Sequence, residues 1–227
     1  MTAVVIVQAR LGSQRFPRKI LADLCGQPVI KHVIDRARAI LGVDRVVLAC
    51  PEDDLDTLDA LGLGVPVIGV TIDGDENDVL SRFCAVAEAY PADGYIRVTG
   101  DCPFLAPDLA RMAMCIIQQG VCYACTRHDG GASGWPDGLD VEAFSADTLR
   151  AADWMAHPGE VEHVTSAMRR LLLSGQQGVI PCPEAWPVGV KLSIDVPADL
   201  VQARAIMGRL PAGAYGWEAT WRAVTGR

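Results

Sequence analysis

Two apolar periods alternate along this chain. Short, mostly apolar runs at Ala3 to Val7, Arg45 to Ala49, Val65 to Val70 and Tyr95 to Thr99 have the β-branched character of buried strands. Between them, Val29 to Ile40 and Asn77 to Tyr90 place apolar side chains at helical spacing, the second through Val79, Leu80, Phe83, Val86 and Ala87. Pro51 with Glu52, Asp53 and Asp54, and Pro107 with Asp108, are helix starts, because proline suits the first helical position and carboxylates favour the positive end of the helix dipole. Strands that alternate with helices predict βαβ units around a mainly parallel central sheet.

Past residue 127 the alternation weakens. His128 to Gly138, His-Asp-Gly-Gly-Ala-Ser-Gly-Trp-Pro-Asp-Gly, reads as a mobile loop, either a lid over a substrate or a plain exposed connection. Ala146 to Met155, Val161 to Leu173 and Pro197 to Met207 are predicted helices, and Gly178 to Pro181 and Lys191 to Ile194 short strands. Tyr215, Trp217 and Trp221 fall at near-helical spacing and are expected to pack on the core. The reading is one domain over residues 1–227, with a substrate subregion at about 126–165.

A 50% apolar, 21% charged composition is that of a globular enzyme. The formal charge of −8 opposes a nucleic-acid partner, yet clustered arginines and lysines can still build a local site for a small anion. The apolar start lacks a basic region before it and is followed closely by Arg10 and Arg15, so it is expected to be a core strand and not a signal peptide. With no apolar run long enough for a bilayer, the expectation is a cytoplasmic protein with no membrane partner. The eight cysteines suit a reducing compartment, and Cys122-x-x-Cys125, lacking a second pair, reads as buried thiols and not as a zinc site.

Chemistry concentrates at three strand ends. Gln8 to Lys19 directly follows the first strand and brings Arg10, Arg15, Arg18 and Lys19 to the edge where open α/β sheets bind ligands. Gly12 and Ser13 allow a tight turn with backbone donors, and the basic side chains can grip polyphosphate oxygens. The order is not that of a Walker loop. Asp101 closes the strand that carries Arg97-Val-Thr-Gly, and Asp195 closes Leu192-Ser-Ile. Each alone would be an ordinary turn or capping aspartate. Two of them beside a polyphosphate loop are the set that metal-assisted phosphoryl or nucleotidyl transfer needs, with Mg²⁺ as the cofactor.

The run from Ala9 to Lys19, Ala-Arg-x-Gly-Ser-x-Arg-x-Pro-x-Lys, resembles the sugar cytidylyltransferases, including the CMP-Kdo and CMP-acylneuraminate synthetases. Gly74 with Asn77-Asp-Val-Leu80, Arg97 to Pro103, Pro136 to Glu142, Glu162-His-Val-Thr165 and Ile194 to Pro197 are most similar to the spore coat polysaccharide biosynthesis cytidylyltransferases, and the likeness extends from about residue 4 to 205. It implies a single nucleotide-diphospho-sugar transferase-like, Rossmann-like α/β domain that binds CTP and a small acidic acceptor for surface-polysaccharide biosynthesis.

By this resemblance Ala9, Arg10, Leu11, Gly12, Ser13 and Lys19 surround the nucleotide, with Arg10, Ser13, Arg15 and Lys19 at the triphosphate. Asn77 and Thr99 lie near the nucleobase, at positions where CMP-Kdo synthetases carry arginine and glutamine. Asp101 and Asp195 hold Mg²⁺ and, with Arg15 and Lys19, form the catalytic set. Asp137, Asp140, Glu142, Glu162 and His163 line the acceptor side, where Asp140 and Glu142 share one face of a strand-like run. Two other readings stay open: a glycosyltransferase with Asp140 and Glu142 as its metal-binding pair, and a non-catalytic nucleotide binder. A homodimer is the default assembly.

Overall fold

The structure is a computed structural model that describes residues 1–127 and 134–227. In β1 (Ala3–Gln8) the pleat sends Ala3, Val5 and Val7 into one hydrophobic cluster and Val4 and Ile6 into another, so both faces of the strand are covered. Its continuous apolar run is the sequence signature of that double burial.

After β1 the chain forms a two-residue hairpin, β2 (Asp23–Leu24) with β3 (Gln27–Pro28), then α1 (Val29–Arg38), β4 (Arg45–Cys50), α2 (Leu55–Asp59) and β5 (Val67–Gly69). Next come α3 (Val79–Ala89), β6 (Gly94–Thr99), α4 (Pro107–Gln118), β7 (Tyr123–Cys125) and β8 (Glu142–Ser145). The chain ends with α5 (Ala146–Met155), α6 (Thr165–Leu171), β9 (Gln177–Val179), α7 (Pro197–Met207) and α8 (Trp217–Thr225). Among the described residues seven strands make one sheet in the order β5-β4-β1-β6-β8-β7-β9, in which only β8 runs antiparallel to its neighbours. The predicted mainly parallel α/β sheet is what the chain forms.

Residues of α1, α4, α7 and α8 join the cluster on one face, and residues of α3, α5 and α6 the cluster on the other. The chain leaves β1 toward β4 and β5 and then crosses to β6, which puts the topological switch point between β1 and β6. Ligands of open α/β sheets bind at that crevice, beyond the carboxyl ends. Because β8 is reversed, its first residue, Glu142, comes beside Arg97 at the same sheet edge.

Three expectations need correcting. The predicted helix from Val161 starts only at Thr165, because the Val161 carbonyl accepts from the Val79 and Leu80 amides at 3.1 and 3.0 Å and so caps α3 instead. Lys191 to Ile194 forms an isolated bridge to Asp137 and no strand: the Leu192 amide donates to Asp137 (2.6 Å) and the Ile194 amide to Asp101 (2.9 Å), in two different loops. The expected mobile loop lies outside the described residues from 128 to 133, and from 134 onward it is anchored. Trp135 is buried, donates from Nε1 to the Ile180 carbonyl at 2.8 Å and meets Trp217 edge-on at 5.2 Å between ring centres. Of the aromatic C-terminal stretch, Trp217 packs on the core as its spacing predicted, while the Tyr215 ring lies against the Arg36 guanidinium and Trp221 Nε1 donates to the Ala185 carbonyl at 3.2 Å. Among the described residues no disulfide joins the eight cysteines, and no helix is long and apolar enough to cross a membrane.

Gly138 sits at φ +102°, and a Cβ there would come within 2.3 Å of the backbone of Leu192 and Ser193. Gly138→Ala is therefore expected to cost about 3 kcal/mol, lowering Tm by roughly 6–12 °C in a chain of this size. A thermal melt unchanged within a degree would show that the segment relaxes freely.

Candidate active site

The loop after β1 is held from within. The Arg18 and Ser13 amides donate to the Leu11 carbonyl at 3.0 and 2.9 Å, and the Leu11 amide donates to Asp54 Oδ2 at 2.7 Å. Arg18, in the left-handed region at φ 57°, then turns the chain into a short 3₁₀ helix, Lys19–Leu21. This turn brings Lys19 Nζ to 2.5 Å from Asp101 Oδ2 and 2.9 Å from Asp195 Oδ1. Arg15 Nη2 lies 3.1 Å from the same Asp195 oxygen.

Asp101 leaves the end of β6 through Gly100, whose amide donates to the Gln8 carbonyl at 2.7 Å. A Cβ at Gly100 would stand 2.9 Å from Ile30 Cδ1 and 3.0 Å from Ala9 Cβ, so glycine lets the two strand exits run side by side. The Ile194 amide donates to the Asp101 carbonyl at 2.9 Å, tying the two aspartate-bearing segments together. Lys191 Nζ then bridges Asp195 Oδ2 (2.8 Å) and Asp199 Oδ2 (2.7 Å), while Asp199 accepts from the Asp195 and Val196 amides. Burial pushes the Lys19 pKa down, but its two aspartates outweigh that and raise it. Burial raises the Asp195 carboxyl, and hydrogen bonds from Lys191 and Lys19 reverse this and hold it at about 2. Both groups are charged at neutral pH.

Around this cluster opens a cavity of about 700 Å³ that takes in Ala9, Arg10, Gly12, Ser13, Arg15 and Lys19 from the loop. Asn77, Thr99, Glu162 and His163 form further wall. Arg10 Nη1 donates to Asn77 Oδ1 at 3.1 Å, across the mouth. Leu11 of the predicted nucleotide set does not line it, because its side chain packs on the core and its amide is spent on Asp54. Arg18 does not line it either, since its left-handed backbone serves the turn. Glu162, expected on the acceptor side, belongs to this cavity.

A second cavity of about 530 Å³ shares Arg97, Thr99, Asp101, His163 and Asp195 with the first and adds Asp137, Asp140 and Glu142. Glu142 is saturated: it accepts from Arg97, from Tyr123 OH (2.5 Å), from Thr165 Oγ1 (2.5 Å) and from Arg169 Nη1 (3.3 Å). Burial opposes its charge, but Arg97, Thr165 and Tyr123 outweigh burial and lower its pKa. Asp140 differs: burial raises its pKa, opposed by a backbone hydrogen bond from Gly138 and by Arg127. Arg127 stands 3.5 Å from Asp137 and 3.6 Å from Asp140, a looser pairing.

The sequence reasoning missed Lys191 and Asp199, although each lies four residues from Asp195. Arg97, Arg127 and Arg169 carry no such local signal, and only the tertiary fold brings them to the second cavity. Among the described residues no group of three or more His, Cys, Asp or Glu converges as a metal cage. What converges is one pair of hard carboxylate oxygens on a single cation, the Lys19 ammonium. That donor set fits Mg²⁺, which takes one or two carboxylates and fills its shell with phosphate and water.

Comparison with known proteins gives this site its kin. A family model described as Cytidylyltransferase matches residues 4–127, more than half of the chain. The 3-deoxy-manno-octulosonate cytidylyltransferase of Anaeromyxobacter sp. (strain Fw109-5) is 37% identical over 123 residues, 52% of this chain and 47% of that protein. The protein of the same name from Brucella ovis is 36% identical over 124 residues, 53% of this chain and 48% of that protein. The chain thus spans about half the length of the curated relatives it matches. Among solved structures, a cytidylyltransferase from Leptospira borgpetersenii serovar Hardjo-bovis superposes with a TM-score of 0.84 at 22% identity, over 97% of this chain and 92% of that one. A CMP:2-keto-3-deoxy-manno-octonic acid synthetase complexed with CTP superposes at 0.66 with 20% identity, over 92% and 99%. At these identities the structures speak for the fold, and the matched sequence model speaks for descent: the chain belongs to the cytidylyltransferase family.

Proposed function

We propose that this protein is a Mg²⁺-dependent nucleotidyltransferase that moves CMP from CTP onto an acidic sugar or related acceptor for surface-polysaccharide biosynthesis, releasing pyrophosphate. The observation that carries the reading is the convergence of Lys19, Asp101 and Asp195 where two cavities meet. One cavity, with its basic loop, suits a triphosphate; the other, with Arg97, Arg127 and Arg169 and with Asp137 and Asp140 beside the shared Asp101 and Asp195, suits a hydroxylated acid whose carboxylate meets Arg127.

In the step we envisage, an acceptor oxygen attacks the α-phosphorus, the bond from that phosphorus to the bridging oxygen of pyrophosphate breaks, and the leaving group carries the electron pair. Arg15 and Lys19 stabilise the leaving charge. Asp101 and Asp195 would hold Mg²⁺, which supplies charge neutralisation at the phosphates. Asp140, its affinity for protons raised by burial, takes the proton of the attacking hydroxyl. The glycosyltransferase alternative would use Asp140 and Glu142 as metal ligands, but the Glu142 oxygens are already engaged by four donors and the basic loop would have no role.

Pyrophosphate release from CTP, UTP, GTP and ATP with Mg²⁺, against a panel of acidic sugars and with Asp101→Ala as control, tests the reaction. Release with CTP and one acceptor, lost in the variant, is expected; release of free nucleotide from a nucleotide sugar would establish the glycosyltransferase instead. Lys19→Ala is expected to lower kcat by about two to three orders of magnitude, the usual loss for an electrostatic stabiliser. Asp140 acts ionised, so the rate should fall as pH drops through its raised pKa. A kcat profile against pH should show that acid limb in the wild type and lose it, at a much lower plateau, in Asp140→Asn. An unchanged limb in the variant would assign the proton to another group.

A further inference from the structure

Two arginines are almost wholly inaccessible, Arg36 at 2% and Arg82 at 1% exposure. Arg36 has a complete structural role: Nη1 donates to the carbonyls of Leu105 (3.2 Å) and Tyr215 (3.0 Å), and the guanidinium lies against the Phe104 and Tyr215 rings. Arg82, in the first turn of α3, has no such role. Its Nη2 donates to the Glu76 carbonyl at 3.0 Å, while Nε and Nη1 have no partner among the described residues. Among the described residues no carboxylate lies within ion-pair distance of it, and burial followed by the weaker repulsion of Arg10 lowers its pKa against the distant pull of Asp78, Cys50 and Glu76. A buried cation with spare donors is disfavoured unless something completes its shell.

Arg82 lines the cavity of about 700 Å³, together with the apolar walls of Ile20 and Val79 and the amides of Gln8 and Asn77. Resting on the nucleotidyltransferase reading above, we infer that Arg82 is a specificity-determining residue that donates from its open guanidinium N–H groups to the acceptor edge of the nucleobase and selects cytosine over uracil. The phosphates have their own cations in Arg10, Arg15 and Lys19 on the loop, and a flat ring suits the apolar walls beside Arg82. Cytosine turns two adjacent acceptors, the ring carbonyl and the unprotonated ring nitrogen, toward such a donor. Uracil turns an N–H there, which leaves two donors face to face, and sites built on hydrogen bonds reject such a mismatch strongly.

Calorimetric titration of the wild type, Arg82→Met and Arg82→Lys with CTP, UTP and inorganic tripolyphosphate, all with Mg²⁺, tests this. Wild type should favour CTP over UTP by about tenfold or more. Arg82→Met should lose that preference and about tenfold in CTP affinity while binding tripolyphosphate as the wild type does, and Arg82→Lys should recover part of the preference. Arg82→Met should also melt no lower than the wild type without ligand, since it removes an unpaired buried charge. An equal loss of tripolyphosphate binding, an unchanged CTP-to-UTP ratio, or a Tm drop of more than about 5 °C, the mark of a structural arginine, would overturn the assignment. A wild type that binds no nucleoside triphosphate would overturn the nucleotide reading itself.

Discussion

Two carboxylates, one past the end of β6 and one in the segment that leads into α7, repel each other, and everything at this site depends on the ammonium that stands between them. Lys19 meets Asp101 at 2.5 Å and Asp195 at 2.9 Å, and those contacts bring segments far apart in the chain to one point. Lys191 and Asp199 complete the arrangement by holding the other Asp195 oxygen and the backbone behind it. In low-dielectric surroundings such charge-assisted bonds fix direction as well as distance. Oxygen donors arrayed around one cation are what a divalent ion and a polyphosphate need, which is why the cluster carries the functional proposal.

Topology supplies the rest. The switch point between β1 and β6 opens a crevice at their carboxyl ends, and the reversed strand β8 delivers Glu142 to the same edge. Glu142 then acts as a hub, taking hydrogen bonds from β6, β7 and α6. It orients Arg97 and Arg169 along the second cavity, and Asp140, two residues earlier, is left with the raised proton affinity suited to a base.

Much of this was legible in the sequence. β1, β4 and β6 were visible because strands covered on both faces read as continuous apolar runs, α1 and α3 because their apolar positions form stripes, and α4 by its Pro107-Asp108 start. Asp101 and Asp195 were found because each closes an apolar run before a proline or a glycine turn. What stayed hidden was made by tertiary contact. Nothing local to Val161 shows that its carbonyl caps another helix, or that Leu11 spends its amide on Asp54. Glu142 looked like an acceptor ligand in a strand-like run, and only the fold reveals four donors around it from residues 97 to 169. Arg82 sits within a plainly amphipathic helix, where an arginine ordinarily faces water.

The most direct test of the account is crystallographic: anomalous diffraction at the manganese edge from crystals grown with Mn²⁺ and a non-hydrolysable CTP analogue. The account predicts one strong peak in contact with both Asp101 and Asp195 and with the phosphates, and Lys19 against the nucleotide's outer phosphates. A peak at Asp137 and Asp140, or a nucleotide bound with Lys19 still closing the two aspartates and no metal beside them, would contradict it.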